Sequence, residues 1–143
     1  MYNKILVAID PVDTNQDLWE TALYLAQKTD AKLILLQIIP ASPENQVPPS
    51  AYEVPWQKLK QKGLEILRSL VREATAVGID AEFTQDFGHP GRTICDFAQT
   101  RSVDLILIGS RGLTGVKEML LGSVSNYVTH HAPCSVSIVR KND

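Results

Sequence analysis

The chain has 143 residues, which favours a single domain, 1–143, around one hydrophobic core. The hydrophobic content of 44% and the charged content of 21% are ordinary for a globular protein, and a net charge of −2 gives no basic excess of the kind that indicates nucleic-acid binding. No apolar run approaches the ~20 residues of a transmembrane helix, and the chain begins without the basic start and cleavage site of a signal peptide. We therefore expect a cytoplasmic protein with no membrane partner.

The first half of the chain predicts two buried strands on either side of a helix. The runs "KILVAI" (4–9) and "KLILLQII" (32–39) are apolar throughout, which is typical of strands covered on both faces. Between them, apolar residues recur at helical spacing over 15–29, and Thr14 is the expected N-cap. The next segment, 40–55, holds five of the eight prolines and cannot form a regular helix or a central strand. Such a segment is typical either of a lid or of a variable surface connection.

The second half continues the alternation of helix and strand. A second helix is expected to end at Gly78, and Pro90 is well placed to open a third. The run 104–109 predicts another buried strand. Apolar and polar residues alternate over 79–87 and 134–139, a pattern that suits strands at the two edges of a sheet.

This order of elements predicts an α/β fold: a single doubly wound, five-stranded parallel sheet with helices on both faces. With the third and fifth strands at the edges, right-handed crossovers favour the strand order 3-2-1-4-5. Ligands of such sheets bind beyond the carboxyl ends of the strands, where the winding direction reverses. That point lies between the first and fourth strands, which end at Asp10 and Gly109. We therefore expect both residues at a binding site.

The stretch "GSRGLTGVKEMLLGSVSNYV" (109–128) holds four of the eight glycines. Crowded glycines indicate a backbone that turns sharply or approaches a ligand closely, most often a phosphate. The last helix is expected to start at 122–125, where free backbone N–H groups and the hydroxyls of Ser123 and Ser125 would form an anion site. Arg111 is either a phosphate ligand or a solvated side chain. The stretch contains neither a Walker A motif nor G-x-G-x-x-G.

The glycine spacing resembles a known signature. Gly109, Gly112 and Gly122-Ser123 match the G-2x-G-9x-G-(S/T) pattern of the ATP-binding universal stress protein family. The resemblance covers the whole chain, because "KILVAID" looks like the opening strand of the family and "LILIGSRGLTGVKEMLLGSVSNYVTHHAPCSVSIVR" looks like its closing half. It implies a flavodoxin-like or Rossmann-like protein that binds ATP together with Mg²⁺ or Mn²⁺ and pairs as a homodimer.

The resemblance also implies roles for single residues. Asp10 would lie near the ribose and the metal, and Ile38 would contact adenine through its backbone. The residues that would lie beside the ribose and the phosphates are Gly109, Arg111, Gly112, Gly122, Ser123, Val124 and Ser125. After Asp10 the chain departs from many relatives, because Pro11-Val12-Asp13 stands where they carry Gly-Ser or Phe-Ser.

These observations favour a nucleotide-sensing regulatory protein of the stress response. No Ser–His–Asp triad and no paired carboxylates converge on the expected site. The alternative is a slow, Mg-dependent nucleotide hydrolase or transferase in which Asp10 holds the metal. His130 and His131 are expected to serve the end of the last helix rather than a metal site, because neighbouring helix residues point in different directions. A phosphoacceptor receiver is disfavoured because the chain ends in a strand, 134–139.

The same strand predicts the assembly. As an edge with alternating small polar and branched apolar residues, 134–139 is expected to pair with its copy across a two-fold axis and form a homodimer. The competing interpretation is a monomer whose edge is shielded by the charges of Arg140 and Lys141.

Overall fold

The computed structural model describes residues 2–39, 53–110 and 122–140. The elements in these ranges are β1 (Lys4–Ala8), α1 (Gln16–Thr29), β2 (Lys32–Ile39), α2 (Glu53–Ala76), β3 (Ala81–Phe87), α3 (Pro90–Thr100), β4 (Leu105–Gly109), α4 (Ser123–His131) and β5 (Ser135–Val139). The strands form one parallel sheet in the order β3-β2-β1-β4-β5. The predicted fold class and strand order are therefore confirmed. None of the described helices is long and apolar enough to span a bilayer.

Helices cover the sheet on both faces. In β1, Ile5 and Val7 pack on the side of α1 and α2, whereas Leu6 packs on the side of α3 and α4. Double coverage explains why β1, β2 and β4 are apolar at almost every position. Every residue of β3 and β5 keeps some exposure to solvent, which agrees with their places at the edges.

The start of α1 differs from the prediction. The N-cap is Asn15, not Thr14, and its side chain accepts a hydrogen bond from the Leu18 N–H at 3.2 Å. Asn15 has a φ of 56°, in the left-handed region. Asparagine tolerates this conformation, whereas a β-branched threonine would be strained there. Asp13 supports the turn because its Oδ1 accepts the Asn15 N–H at 3.0 Å.

The segment 40–55 was expected to be free of helix, and this prediction is wrong at its end. Helix α2 begins at Glu53 and therefore includes Pro55. Proline fits there because the N–H groups of the first helical turn have no intrahelical partner. Residues 40–52 lie outside the described part of the chain, so the choice between a lid and a surface connection stays open. Gly78 follows the helix with a φ of 82°, as expected for a residue that terminates it.

A buried amide pair fixes α2 on the sheet. Gln37 of β2 is completely buried, and its Nε2 donates to the carbonyl of Gly63 in α2 at 3.1 Å. Gln85 of β3 donates from Nε2 to Gln37 Oε1 at 2.8 Å and to the Lys60 carbonyl at 2.9 Å. A Cβ on Gly63 would lie only 2.2 Å from Gln37 Oε1, so the close approach of helix and strand requires glycine.

A carboxylate at the amino-terminal end of the sheet joins the two halves of the fold. Asp104 Oδ2 accepts the backbone N–H of Asn3 at 2.7 Å and that of Lys4 at 2.8 Å. The hydrogen bonds from Lys4 and then Asn3 lower the pKa of the Asp104 carboxyl, because they stabilise its charged form. The start of β1 is thereby held beside the start of β4.

Candidate nucleotide site

A cleft opens at the carboxyl ends of β1, β2 and β4, where the winding of the sheet reverses. Its volume is about 580 Å³, counting the space that is open to solvent. The amino-terminal ends of α3 and α4 form one of its walls. The cleft brings together five of the residues singled out in the sequence: Asp10, Ile38, Gly109, Val124 and Ser125.

Of the other four candidate residues, two are described and are not among the residues that line the cleft. Gly122 is buried and is the N-cap of α4, where its N–H donates to the Ser110 carbonyl at 2.7 Å. Ser123 is exposed and lies on the outer side of α4, away from the lining of the cleft. Arg111 and Gly112 lie outside the described residues, so their roles stay predictions.

Asp10 both closes the turn after β1 and lines the cleft. Its Oδ1 accepts the Val12 N–H at 2.8 Å and the Asp13 N–H at 3.2 Å, which closes the turn after β1. Both of these bonds use one carboxylate oxygen, and the residue also lines the cleft. Burial raises the pKa of the Asp10 carboxyl, and the hydrogen bonds from Val12 and Asp13 oppose that rise. Asp10 can therefore stabilise the loop through Oδ1 and offer Oδ2 to a ligand.

The raised pKa of Asp10 gives a test in the protein without ligand. The folded state binds the Asp10 proton more tightly than the unfolded state, so protonation of this group stabilises the fold as the pH falls through its folded pKa towards the ordinary pKa of 3.8. Asp10→Asn should remove that contribution. Urea denaturation of both proteins, from about pH 7 to about pH 4, measures it as the pH dependence of the difference in unfolding free energy.

Two other carboxylates change the unfolding free energy with pH in the opposite direction. Their contributions cancel in the difference between the wild type and Asp10→Asn. The pKa of Asp104 is lowered, and hydrogen bonds from Arg101 and Lys32 lower the pKa of Glu82, so both groups lose stabilisation as the pH falls. They are unchanged in the variant. Parallel pH profiles for the wild type and Asp10→Asn would show that Asp10 titrates alike in the folded and unfolded states, against the expectation.

The start of α4 provides hydrogen-bond donors to the cleft. The first intrahelical bond runs from Asn126 N–H to the Gly122 carbonyl at 3.0 Å, so the N–H groups of residues 123–125 precede the hydrogen-bonded part of the helix. Ser125 is 1% exposed, lines the cleft and donates from Oγ to the Gly122 carbonyl at 3.1 Å. N–H groups that have no partner within the helix and the positive end of the helix dipole together favour an anion at this end of the cleft.

The end of the cleft next to β2 is apolar. Leu36 and Ile38 of β2 contribute branched side chains there, and the lining of the cleft also includes the apolar side chains of Ile94 and Ile108. The last bond from β1 to β2 runs from Ile9 N–H to the Leu36 carbonyl at 2.9 Å. Peptide groups alternate in direction along a strand, so after Leu36 the next peptide groups of β2 that point towards β1 are the N–H and C=O of Ile38. They lie beyond the last β1 residue that pairs with β2, which is Ala8. One backbone donor and one backbone acceptor therefore face this end of the cleft.

Comparison with known proteins identifies the family. The model of the universal stress protein family matches residues 1–140. The chain belongs to the universal stress protein family. It is 35% identical over 151 residues to universal stress protein Sll1388 of Synechocystis sp., an alignment that covers 97% of this chain and 98% of that protein. Membership of the universal stress protein family, which the glycine motif indicated, is thereby confirmed.

Solved structures extend the comparison to three dimensions. The structure of the hypothetical protein MJ0577 superposes with a TM-score of 0.85 at 27% identity and covers 100% of this chain and 99% of that one. A universal stress protein solved in complex with cAMP superposes with a TM-score of 0.73 at 26% identity and covers 99% of both chains. A structural relative in this family therefore binds a nucleotide.

The residues present fit only one kind of metal site. Asp10 is the only carboxylate among the described residues that line the cleft, and within the described ranges no three His, Cys, Asp or Glu side chains cluster as metal ligands do. Mg²⁺ is commonly held by one or two carboxylates together with substrate phosphates and water. The cleft of this universal stress protein therefore fits a metal that arrives with a phosphorylated ligand, with Asp10 as its protein ligand.

Some residues of the cleft were missed in the sequence. Pro11, Asn15, Leu18, Pro90 and Ile94 also line it. Pro90 and Ile94 lie in the first turns of α3, which starts at the same edge of the sheet as the loop after β1. The carboxyl-end rule for parallel sheets identifies that edge, but only the packed structure shows which helix starts approach the ligand.

Proposed function

We propose that this universal stress protein binds ATP with Mg²⁺ or Mn²⁺ in the cleft, and that it acts as a nucleotide-sensing regulatory protein of the stress response. The observation that carries the proposal is the polarity of the cleft, which has an apolar end at Ile38 and an anion-binding end at α4. A nucleotide has the matching polarity, with an aromatic base at one end and phosphates at the other. Asp10 lies at the cleft as the ligand proposed for the metal or the ribose.

The apolar end fits adenine. The Ile38 peptide groups offer an N–H donor and a C=O acceptor on the β1 side of β2, past the point where the pairing with β1 ends. Adenine presents an acceptor, N1, beside a donor, the N6 amino group, whereas guanine presents the opposite pattern at the corresponding atoms. Backbone groups of Ile38 would therefore select adenine, and the 26%-identical relative solved with cAMP, an adenine nucleotide, supports this choice.

The phosphate end fits a regulatory protein better than a fast hydrolase. Asp10 is the single carboxylate among the described lining residues, and Oδ1 of that carboxylate is already bound to two backbone N–H groups. With Oδ2 proposed as the ligand of the metal or the ribose, no second carboxylate among the described lining residues is left to act as a general base for rapid attack by water. Rapid multiple turnover of Mg-ATP that Asp10→Ala abolishes would favour the hydrolase or transferase instead. The free thiols of Cys95 and Cys134 agree with the cytoplasmic location that we propose.

Mg-ATP should raise the melting temperature of the protein. A ligand that binds only the folded state stabilises it by mass action, by about 2.7 kcal/mol when its concentration is about 100 times the dissociation constant. For a domain of this size that corresponds to a rise of roughly 5–10 °C. Differential scanning fluorimetry with ATP, AMP, cAMP and GTP, each with and without Mg²⁺, tests the base, the phosphates and the metal separately. Equal shifts with GTP and ATP would contradict the role of Ile38, and no shift with any nucleotide would contradict the proposed function.

We also propose that two copies pair through β5. The Ser110 N–H donates to the Val139 carbonyl at 3.1 Å, so the peptide groups of Val139 point towards β4. Alternation along the strand then directs those of Ser137 towards β4 and those of Val136 and Ile138 outward from the sheet. An unpaired strand edge is a template for another strand, and a two-fold axis makes such pairing closed.

Two proline variants of β5 separate the dimer from the fold. Val136→Pro removes an outward N–H and should give a folded monomer. Ser137→Pro removes an N–H that faces β4 and should disrupt the sheet, because proline cannot donate the hydrogen bond of the ladder. Sedimentation equilibrium gives the mass of each protein, and circular dichroism gives its fold. A wild-type protein that sediments as a monomer would contradict the proposed dimer, whatever the variants do.

A further inference from the structure

The three histidines of the chain differ in what their ring nitrogens contact. His130 and His131 lie in the last turn of α4, where their Nδ1 atoms face the carbonyls of Asn126 at 2.8 Å and Tyr127 at 2.9 Å. A carbonyl only accepts, so both Nδ1 atoms carry hydrogen whether the ring is neutral or charged. Protonation of either ring leaves these bonds intact and places a cation at a helix carboxyl end, where it is favourable.

His89 has the opposite arrangement. It is the N-cap of α3, and its Nδ1 accepts the backbone N–H of Arg92 at 3.1 Å. An N–H only donates, so Nδ1 must be bare, and the neutral ring must carry its hydrogen on Nε2. A second proton would go to Nδ1. It would replace the acceptor with a donor and put a cation at the positive end of a helix dipole, so that both effects oppose the cap.

The cap lies in a contact between α3 and α4. The His89 ring meets the Tyr127 ring edge-on with centroids 5.5 Å apart, and the other side of Tyr127 stacks on His131 at 4.0 Å. Tyr127 also lies against Gly91, where an added Cβ would be 2.7 Å from its Cδ1. The start of α3 is therefore held on one side by the His89 cap and on the other by the Tyr127 ring.

The other side of this junction is the wall of the nucleotide cleft. Pro90 and Ile94 of α3 and Val124 and Ser125 of α4 line the cleft. Pro90 follows His89 directly, and Ser125 lies two residues before Tyr127. Loss of the cap would loosen the first turn of α3, and with it the surface that Pro90 and Ile94 present to a ligand.

We propose that His89 is a proton-sensitive cap, a positioning residue that fixes the start of α3 at the cleft only while its imidazole is neutral. Acidification then releases Arg92 N–H, loosens this wall and weakens nucleotide binding; the last of these effects rests on the proposed function. Imidazole is the side chain that titrates within the physiological range of about pH 5–8.

The titratable and charged groups nearest to His89 along the chain and in its ring contacts belong to three elements. Helix α3 contributes the guanidinium of Arg92 in its first turn, and α4 contributes Tyr127 with His131 behind it. Before the cap, β3 contributes Asp86, whose Oδ1 already accepts the Phe87 N–H at 2.8 Å. Among the described residues, the contacts of the His89 ring are the Arg92 N–H and the Tyr127 ring, and neither is an anion that would favour a charged imidazole.

Nuclear magnetic resonance of the ligand-free protein tests the cap directly. In a titration from about pH 8 to about pH 5, the Arg92 amide resonance should move together with the His89 ring nitrogens, because the bond between them is lost. His89→Asn keeps a good capping side chain that does not titrate, so its Arg92 amide should stay constant. His130→Asn is the matched control, and its Arg92 amide resonance should move with pH as it does in the wild type. An Arg92 amide that ignores the titration of His89, or that still moves in His89→Asn, would overturn the proposal.

Binding measurements test the coupling to the cleft. The dissociation constant of Mg-ATP for the wild type, divided by that for His89→Asn, should rise about fivefold between about pH 8 and about pH 5.5, the scale of one lost helix cap. The ratio cancels the ionisation of the ATP phosphates, and His130→Asn should again follow the wild type. A constant ratio would overturn the coupling. Absence of ATP binding to every variant at about pH 8 would instead overturn the proposed function, while the Arg92 amide still decides the cap.

Discussion

Replacing Gly63 with alanine should lower the free energy of unfolding by about 2 kcal/mol, or the melting temperature by roughly 4–8 °C. Alanine is the better helix former by about 1 kcal/mol, so an ordinary helix interior would be stabilised by this change. Here the new Cβ would lie 2.2 Å from Gln37 Oε1, an atom that is completely buried and bonded to Gln85. The amide must move, and its hydrogen bonds to both neighbours are lost. Urea denaturation measures the effect.

A double-mutant cycle isolates this contact. Gln37→Ala empties the space that the methyl group of an introduced alanine would need. Gly63→Ala in that background should therefore be neutral or stabilising by up to about 1 kcal/mol. The coupling energy is then about 2 kcal/mol or more in favour of the double variant. Additive effects would show that Gln37 does not determine the glycine, and that the cost comes from another contact of α2.

Replacing Gly122 with valine should abolish the rise in melting temperature that Mg-ATP is expected to produce. Gly122 has a φ of −73° and a ψ of 167°, extended values that any residue adopts, so valine introduces no backbone strain. Its branched side chain would stand at the start of α4, where the proposed phosphates approach the helix N–H groups. Thermal melts with and without Mg-ATP measure the loss.

Asn126→Val is the matched control for this experiment. Asn126 is exposed on the same helix and does not line the cleft, so the control introduces the same valine side chain away from the proposed phosphates. It should keep the full response to Mg-ATP. Circular dichroism confirms that both variants are folded. A Gly122→Val protein that is folded and still responds like the wild type would place the phosphates elsewhere.

The strand order was predictable because the sheet is covered on both faces only at its centre. Burial of β1, β2 and β4 makes them apolar, and partial exposure of β3 and β5 makes them alternate. The same rule does not predict the structural role of Gln37. This residue lies inside an apolar run, and its burial depends on hydrogen-bond partners from β3 and α2.

The candidate site was predictable as far as topology alone determines it. The winding reversal places Asp10 and Gly109 at the cleft without any knowledge of side-chain packing. It does not give the rotation of α4 about its axis. Ser123 and Ser125 are two positions apart and so point in nearly opposite directions, and only Ser125 lines the cleft. Likewise, "GHP" indicates the start of a helix, but which ring nitrogen of His89 forms the cap depends on the folded geometry of the turn.

The pairing of β1 with β4 also determines when the fold can be completed during synthesis. The bonds from Asn3 and Lys4 to Asp104 span 101 and 100 positions of the chain. At a ribosomal rate of about 5–20 residues per second, β1 emerges roughly 5–20 s before its second neighbour. Throughout that interval β1, an apolar strand of the nascent chain, has an open edge, which is the geometry that chaperones must cover to prevent aggregation. Messages truncated before β4 would make that transient edge permanent.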